Sequence, residues 1–248
     1  MIEKNRIYNE SCLDTLKRME DKEVDVVITS PPYNMNLRIR NGKYCSRQIT
    51  EEFSTKYDGF NDNIPIDEYN SFHTEVLKEL LRVSHLVFYN IQIVTGSKRS
   101  VFKMIGEFSE QLKDIVVWDK GWGQPAMQVG VMNRQSELVL IFADKNAISR
   151  QFKSFCHFDR GTLSDVWQIK RGRTKDSKNK AVMPDELVDK ILVNFTEEGD
   201  VVYDPFCGTG TTAFVANQRG RQYVGSEISS ELIATANRRL REVQKPLI

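Results

Sequence analysis

The sequence shows no signal-peptide pattern, no run long enough to span a membrane and no metal-binding motif. Its first ten residues, MIEKNRIYNE, contain no apolar stretch of signal-peptide length, and no later run approaches a membrane span. The four cysteines form no Cys-x-x-Cys pair, and the three histidines lie far from any matching set of ligands. We therefore expect free thiols, a cytoplasmic location, no membrane contact and no metal.

The chain also lacks internal repeats, low-complexity tracts and a strong net charge. Its 248 residues carry a net charge of +1, with 40% hydrophobic and 28% charged residues, which is ordinary for one globular domain. The charge is unevenly placed, however. Residues 145–180 hold ten Lys or Arg against three Asp, and residues 34–48 hold four basic residues and no acid. Either segment alone fits a solvated loop, but the two together indicate a localised surface for a polyanion.

Apolar runs alternate with helical patterns along most of the chain. Strands are predicted at 24–29, 86–90, 114–118, 137–142, 201–204 and 223–227, and most of these are continuous apolar runs, which indicates burial on both faces of the sheet. Apolar residues at helical spacing predict helices over 66–84, 184–195 and 228–243. This alternation is typical of an α/β fold with a doubly wound, mostly parallel sheet. Residues 34–63 and 144–180 are polar, basic and poor in periodicity, so they stand apart from the pattern.

The first predicted strand runs directly into two prolines and an aromatic residue, in the stretch VDVVITSPPYN at 24–34. Proline has no N–H, so Pro31 and Pro32 end the strand, and the carbonyls of Ser30 and Pro31 cannot pair with a neighbouring strand in the usual way. A stiff segment with unpaired acceptors beside Tyr33 suits the binding of a flat ring that bears an amino group. The simpler interpretation is a strand followed by a proline-stiffened loop.

A glycine loop occupies the segment GDVVYDPFCGTGTTAFVANQRGRQYVGSEIS at 199–229. A predicted strand ends at Asp204, Gly208 and Gly210 form a turn that lets backbone approach a ligand, and a helix begins near Thr211. Glu227 follows Gly210 by 17 residues and lies at the tip of the next predicted strand. A carboxylate there can accept hydrogen bonds from the two hydroxyls of a ribose. The loop therefore predicts a nucleoside-containing cofactor.

Two cofactors fit this loop. The run GTGTTA satisfies the Gly-x-Gly-x-x-Ala pattern of NAD-binding proteins. The chain ends 38 residues after Gly210, however, which leaves little room for the rest of a dinucleotide fold. The Asp204 carboxylate would repel phosphates and attract the ammonium of a methionine-like tail. These points favour S-adenosylmethionine over NAD.

The two motifs together resemble those of the amino-methylating DNA methyltransferases. TSPPYN comes first and DPFCGTGTT comes last, which is the order of the beta group of that family. The segments DIVVWDKG and RQSELVLIF are similar to its middle strands, and the similarity covers nearly all of the chain outside 34–63 and about 144–175. The resemblance implies the Rossmann-like fold of S-adenosylmethionine-dependent methyltransferases, formed by a single catalytic domain over 1–248.

The resemblance also implies the residues of the active site. Tyr33 would stack on the target base, and the Ser30 side chain and Pro31 carbonyl would accept hydrogen bonds from its amino group. The implied catalytic residues are Ser30, Pro31, Pro32 and Tyr33. The implied cofactor-binding residues are Asp204, Pro205, Phe206, Gly208, Gly210, Thr211, Thr212, Glu227 and Ser11. At Ser11 the family usually has an acid that contacts adenine, so this chain departs from the pattern there.

The implied reaction is methyl transfer to the exocyclic amino group of a base flipped out of duplex DNA. Family members with Ser before Pro-Pro-Tyr mostly act on the 4-amino group of cytosine, and those with Asp or Asn mostly on the 6-amino group of adenine. Ser30 therefore favours cytosine, and adenine is the alternative. Methylation at carbon 5 of cytosine is excluded, because it needs a Pro-Cys nucleophile and no proline here precedes a cysteine.

Two other classes of function stay open at this point. Methyltransferases of RNA or protein amides carry related Pro-Pro-Tyr motifs, but they place the cofactor loop before that motif. A non-catalytic DNA-binding subunit is the other alternative, and it is disfavoured because both motifs are complete.

Both basic segments are assigned to DNA by the resemblance. The loop at 34–63 would close over the DNA near the flipped base, and a small target-recognition insertion at about 144–178 would read the sequence. The implied DNA-binding residues are Arg38, Arg40, Lys43, Arg171, Arg173 and Lys175. A homodimer and a cognate restriction endonuclease are compatible partners, and the gene would belong to a bacterium, an archaeon or a phage.

Overall fold

The computed structural model describes residues 1–34, 38–40, 43–45, 64–94, 97–124, 129–143, 149–152, 156–171 and 182–243, with backbone only at 38–40, 43–45, 124 and 243. The helices in these ranges are α1 Cys12–Leu16, α2 Ile66–Val83, α3 Lys98–Glu107, α4 Asp185–Phe195, α5 Thr211–Gln218 and α6 Ser230–Val243. The strands are β1 Arg6–Tyr8, β2 Val26–Thr29, β3 Arg38–Arg40, β4 Lys43–Cys45, β5 Leu86–Ile91, β6 Leu112–Gln124, β7 Arg134–Ala143, β8 Val166–Gln168, β9 Val201–Asp204 and β10 Gln222–Ser226.

Eight of these strands form one central sheet in the order β1-β10-β9-β2-β5-β7-β6-β8. The strands β1, β10, β9, β2 and β5 are mutually parallel, β7 runs antiparallel to both of its neighbours, and β8 is parallel to β6. The predicted mostly parallel α/β sheet is therefore confirmed. The strands β3 and β4 form a separate antiparallel pair within the basic segment 34–63.

The central strands are apolar throughout because helices cover both faces of the sheet. Every residue of β2, β5 and β9 is buried. Side chains alternate between the faces, so Val26 and Ile28 join a core with α4, α5 and α6, whereas Val27 packs into a second core with α1, α2 and α3. This two-layer burial explains why the sequence shows continuous apolar runs instead of alternating ones.

The sheet has a topological switch point between β9 and β2. From β9 the chain passes through α5 to β10 on one side, and from β2 it passes through α2 to β5 on the other side. The carboxyl ends of β9 and β2 are therefore neighbours, and the crevice between two such ends is where open α/β sheets bind ligands. Asp204 and Thr29 are the last residues of these two strands.

The segment predicted as a target-recognition insertion contributes a strand to the sheet. Val166–Gln168 forms the edge strand β8, and Trp167 is fully buried there, with its indole N–H donating to the Ser164 carbonyl at 2.7 Å. The sequence analysis predicted no strand at this point, because two adjacent apolar residues in a polar segment give no periodic signal. The edge strand β1 was missed for the same reason.

Candidate active site

The Ser30–Tyr33 segment leaves the carboxyl end of β2 and lies against the start of α2. Pro31, Pro32 and Tyr33 are buried and Ser30 is half-buried. The hydroxyl of Tyr69 donates a 2.7 Å hydrogen bond to the Pro32 carbonyl, and not to the Pro31 carbonyl on which the sequence prediction relies. Because the two prolines are stiff and this carbonyl is held, the segment has a fixed path out of the sheet.

A buried polar network that the sequence analysis did not foresee lies behind Tyr33. The Tyr33 hydroxyl donates to Oε2 of Glu137 at 3.0 Å, and Asn90 Nδ2 donates to the same oxygen at 3.0 Å. The Lys120 ammonium donates to Oε1 of Glu137 at 3.1 Å, and the two charged side chains are only 1% and 9% exposed. Burial lowers the pKa of Lys120, the charge of Glu137 opposes that shift, and the nearby charge of Arg171 adds to it.

The strand end before the Ser30–Tyr33 segment is joined to the glycine loop through Asp204. Its carboxylate accepts hydrogen bonds from the Thr29 hydroxyl at 2.8 Å, the Thr212 hydroxyl at 2.7 Å and the backbone N–H of Phe206 at 3.1 Å. Burial raises the pKa of Asp204 to about 6, against the opposing effect of these donors. Asp204 is 4% exposed, so it fixes the geometry of the crevice as well as placing a carboxyl group there.

The glycine loop is shaped by two residues with left-handed backbone. Gly208 has φ +53° and Gly210 has φ +78°. A Cβ on Gly210 would lie 2.6 Å from the Cβ of Ala236, so this position needs glycine for both its backbone and its space. A Cβ on Gly208 would approach only the Phe206 carbonyl, at 3.9 Å. Gly208 therefore presents its backbone to open space, as a cradle for a ligand does.

The predicted ribose-binding carboxylate, Glu227, lies just beyond the end of β10. Its two oxygens accept the backbone N–H groups of Gly208 at 2.8 Å and of Ser229 at 2.9 Å. Burial raises the pKa of Glu227, and these two donors lower it. Each carboxylate oxygen retains a second lone pair, so Glu227 can also accept hydroxyl donors from a ligand.

The other predicted cofactor residues lie around the same loop. Pro205 and Thr211 are buried, and the Phe206 ring packs on Phe72, with ring centroids 6.1 Å apart. Ser11 serves as the N-cap of α1, where its hydroxyl accepts the Leu13 N–H at 3.4 Å. The chain just before Ser11 is tied to the Glu227 segment, because the Glu227 N–H donates to the Tyr8 carbonyl at 3.0 Å.

These residues fit S-adenosylmethionine better than a pyrophosphate-containing cofactor. The loop brings two half-buried or buried carboxyl groups, Asp204 and Glu227, to one crevice, and the missing side chain of Gly208 leaves open space beside them. The hydroxyl oxygen of Thr209 in the same loop is buried and has no partner in the described part of the chain. Acidic groups suit an ammonium and ribose hydroxyls, and they oppose phosphate.

The predicted DNA-binding residues are only partly described. Arg171 is exposed and follows β8, near the buried Lys120. Arg38, Arg40 and Lys43 lie on β3 and β4, where the backbone alone is described, and Arg173 and Lys175 lie outside the described residues. Asn34 and Ile64, at the two ends of the segment 34–63, lie side by side, because the Asn34 amide exchanges two 3.0 Å hydrogen bonds with the backbone of Ile64.

Within the described ranges, no group of three or more His, Cys, Asp or Glu side chains is arranged to hold a metal ion. None of the helices described has the length and apolar character needed to cross a membrane.

Comparison with known proteins identifies the family of the chain. The family described as DNA methylase (N6_N4_Mtase) matches residues 24–238. The Type II methyltransferase M.HinfI of Haemophilus influenzae is 28% identical over 97% of this chain and 69% of its own length. M.BglII of Bacillus subtilis is 26% identical over 94% of this chain and 68% of its own length.

Solved structures share the fold. The PvuII DNA methyltransferase, described as cytosine-N4-specific, aligns with a TM-score of 0.69 at 17% identity, over all of this chain and 89% of its own. A Thermus thermophilus protein solved in complex with S-adenosyl-L-methionine aligns with a TM-score of 0.64 at 20% identity, over 97% of each chain. The chain therefore belongs to the N6/N4 DNA methylase family, whose members are S-adenosylmethionine-dependent DNA amino-methyltransferases.

Proposed function

We propose that this protein transfers the methyl group of S-adenosylmethionine to the exocyclic 4-amino group of cytosine in duplex DNA, at a specific sequence and after base flipping. The observation that carries the proposal is the 2.8 Å hydrogen bond between Thr29 and Asp204. This bond joins the end of β2, which leads into the proposed amino-binding segment, to the proposed cofactor loop at the switch point of the sheet. A base held by the first and a methyl donor held by the second would meet there.

The residues after β2 would supply the environment that the amino group needs. The lone pair of an exocyclic amino group is delocalised into the ring and is a poor nucleophile. Hydrogen bonds from that group to the Ser30 hydroxyl and the Pro31 carbonyl favour its pyramidal form, whose lone pair is free to react. S-adenosylmethionine supplies an electrophilic methyl group on sulfur. Positioning and electrostatics then suffice, and no covalent enzyme intermediate is needed.

The cofactor would be held by the segment from Asp204 to Thr212 together with Glu227 and Ser11. Glu227 would accept hydrogen bonds from the ribose hydroxyls. The Asp204 carboxylate already accepts three hydrogen bonds, so we assign it a long-range attraction for the ammonium of the methionine tail and a structural tie to β2. Ser11 caps α1 and lacks a carboxylate, so any contact it makes with the cofactor uses its hydroxyl or backbone.

The DNA would lie along the carboxyl edge of the sheet, where the catalytic segment and Arg171 are both found. Arg171, Arg173 and Lys175 would contact phosphates or guanine edges from the insertion at about 144–178. Arg38, Arg40 and Lys43 would contact the backbone near the flipped base from the loop at 34–63. Flipping costs a few kcal/mol, and such contacts are one source of the energy that offsets it.

The preference for cytosine rests on Ser30, the residue before Pro-Pro-Tyr in the family pattern. Adenine, methylated at its 6-amino group by the same mechanism, is the alternative. The family and the relatives quoted above are described as DNA methylases or Type II methyltransferases, which favours DNA over RNA or protein amides. Their Type II designation also supports a cognate restriction endonuclease as partner and the bacterial, archaeal or phage-infected cytoplasm as location.

The test is methyl transfer from labelled S-adenosylmethionine to unmethylated duplex DNA, followed by mass spectrometry of the nucleosides. We expect N4-methylcytosine, and no label in RNA that competes in the same assay. The Ser30→Ala variant is the matched control, since it removes only the hydroxyl acceptor. N6-methyladenine in place of N4-methylcytosine would overturn the base assignment alone, whereas label in RNA or protein and not in DNA would overturn the proposed function. Size-exclusion chromatography with light scattering would test for a homodimer.

A further inference from the structure

The buried network behind Tyr33 has features that stability alone does not explain. Lys120 and Glu137 lie on the paired strands β6 and β7, with Glu137 opposite Trp118. Lys120 is two residues beyond Trp118, so its side chain lies on the same face of the sheet as Glu137. Replacing a buried ion pair by apolar residues of similar size is often neutral or stabilising. A pair retained next to the catalytic segment therefore suggests a role in that segment.

The hydrogen atoms of this network can be assigned from its geometry. Both oxygens of Glu137 act as acceptors, Oε1 from Lys120 and Oε2 from Tyr33 and Asn90. Tyr33 has one hydroxyl hydrogen, and it is directed to Glu137. The Ser30 and Tyr33 hydroxyl oxygens are 2.9 Å apart, so Ser30 must be the donor in that contact. The hydrogen of Ser30 is then directed inward, and a lone pair of its oxygen is directed away from the network.

The contacts of Asn90 support the same assignment of the hydroxyl hydrogens. Its Nδ2 lies 2.9 Å from the Tyr33 oxygen and 3.4 Å from the Ser30 oxygen, in addition to its bond with Glu137. Its Oδ1 is buried without a partner in the described part of the chain. Leaving a buried acceptor unpaired costs free energy. The amide keeps this orientation because its Nδ2 group donates to the Tyr33 oxygen and to Glu137. The opposite orientation would place Oδ1 against the Glu137 carboxylate.

We propose that Asn90, Lys120 and Glu137 are positioning residues that hold the Ser30 hydroxyl as a hydrogen-bond acceptor toward the amino group of the target base. This inference rests on the proposed function. Without Glu137 as the terminal acceptor, the Tyr33 hydroxyl could donate to Ser30, and the Ser30 hydroxyl would then donate outward. Its hydrogen would face the hydrogens of the amino group instead of accepting from them. The network thus selects an amino-bearing base over its keto analogue.

The test compares Glu137→Gln with Glu137→Asp, on the site first mapped by methylation of DNA with the wild-type protein. The amide of Gln can donate to the Tyr33 oxygen, so that Tyr33 donates to Ser30 and Ser30 donates outward. Asp keeps a carboxylate acceptor for Tyr33. For Glu137→Gln we expect kcat to fall about 100-fold, as is typical when one preorganised hydrogen-bonding group is removed from a polar active site. The KM for S-adenosylmethionine should stay within twofold, and Glu137→Asp should recover most of the loss.

Binding gives a readout that does not depend on turnover. Duplexes are compared in which the target base is intact or is replaced by its keto analogue, uracil for cytosine or hypoxanthine for adenine. Wild-type protein should bind the amino-bearing duplex more tightly. Glu137→Gln should lose or invert this preference, because an outward Ser30 hydrogen suits a carbonyl. A variant that only destabilised the fold would bind both duplexes more weakly and to the same extent.

A double-mutant cycle tests the route through Tyr33. Tyr33→Phe keeps the ring and removes the hydroxyl that joins Glu137 to Ser30, so adding Glu137→Gln to it should reduce kcat no further. Should Glu137→Gln fail to fold, the Lys120→Met, Glu137→Met pair removes both charges at similar volume and is expected to show the same kcat loss. An unchanged kcat in either variant, or full additivity with Tyr33→Phe, would overturn the inference. Wild-type protein that methylates no amino group would instead overturn the proposed function.

Discussion

The hydroxyl of Thr29 donates a 2.8 Å hydrogen bond to Asp204, a residue 175 positions further along the chain. Thr29 is the last residue of β2 and Asp204 the last residue of β9, so this bond closes the switch point of the sheet. The same carboxylate accepts the Thr212 hydroxyl at the start of α5. The segment that would hold the base and the loop that would hold the methyl donor are consequently one rigid unit.

Replacing Thr29 by valine should destabilise this unit. The variant keeps the shape of the side chain and removes the donor, which leaves a buried carboxyl group with one partner fewer. We expect the free energy of unfolding, measured with urea, to fall by about 2 kcal/mol. Thr235→Val is the control, because Thr235 lies on the partly exposed α6 and should change stability by about 0.5 kcal/mol or less. Equal losses in the two variants would show that the Thr29–Asp204 bond contributes nothing specific.

The raised pKa of Asp204 makes a prediction about pH. Because burial raises this pKa from 3.8 to about 6, the folded protein binds a proton near pH 5 that the unfolded chain has released. The stabilising contribution of the protonated form is therefore present below pH 4 and is lost as pH rises through 6. Relative to Asp204→Asn, the wild-type protein without ligand should lose about 1.4 kcal/mol of stability between pH 5 and pH 7.5. Urea titrations of both proteins at the two pH values measure this, and a constant difference would contradict it.

The two loop glycines should respond differently to alanine. Gly210→Ala combines a left-handed backbone with a Cβ 2.6 Å from that of Ala236, and we expect a loss of about 3 kcal/mol in the free energy of unfolding. Gly208→Ala has the backbone cost without the collision, so its loss should be about 1 kcal/mol. Because the Cβ of residue 208 would enter the open cradle, this variant should instead weaken S-adenosylmethionine binding measured by calorimetry. Similar stability for both variants would contradict the steric argument.

The elements that could be predicted from sequence are those whose signal is local. The strands that end at Thr29 and Asp204 are mostly apolar runs with a proline one or two residues later, so the position at which each strand ends was predicted correctly. The turn at Gly210 was also predicted, and the structure has a left-handed backbone there. In each case, one short segment contains the whole pattern.

The network around Glu137 could not be predicted in this way. Its members come from four separate strands or strand ends, and no local pattern in the sequence relates Asn90, Lys120 and Glu137 to one another. Only the order of strands in the sheet brings them together, and a single sequence does not contain that order. The short strand β8 was missed because burial of Trp167 depends on its pairing with β6.

Arg171 provides the last prediction, which concerns DNA affinity. It is exposed at the carboxyl edge of the sheet, whereas Lys4 is exposed before β1 at the opposite edge. If DNA lies along the carboxyl edge, Arg171→Glu should weaken binding about tenfold and reduce the slope of log affinity against log salt concentration by about 1, as expected for one lost phosphate contact. Lys4→Glu changes the net charge equally and should leave both quantities nearly unchanged. Fluorescence anisotropy with a labelled duplex over a range of salt concentrations gives both values. Equal effects of the two variants would mean that only overall charge matters, and the assignment of the carboxyl edge to DNA would then be wrong.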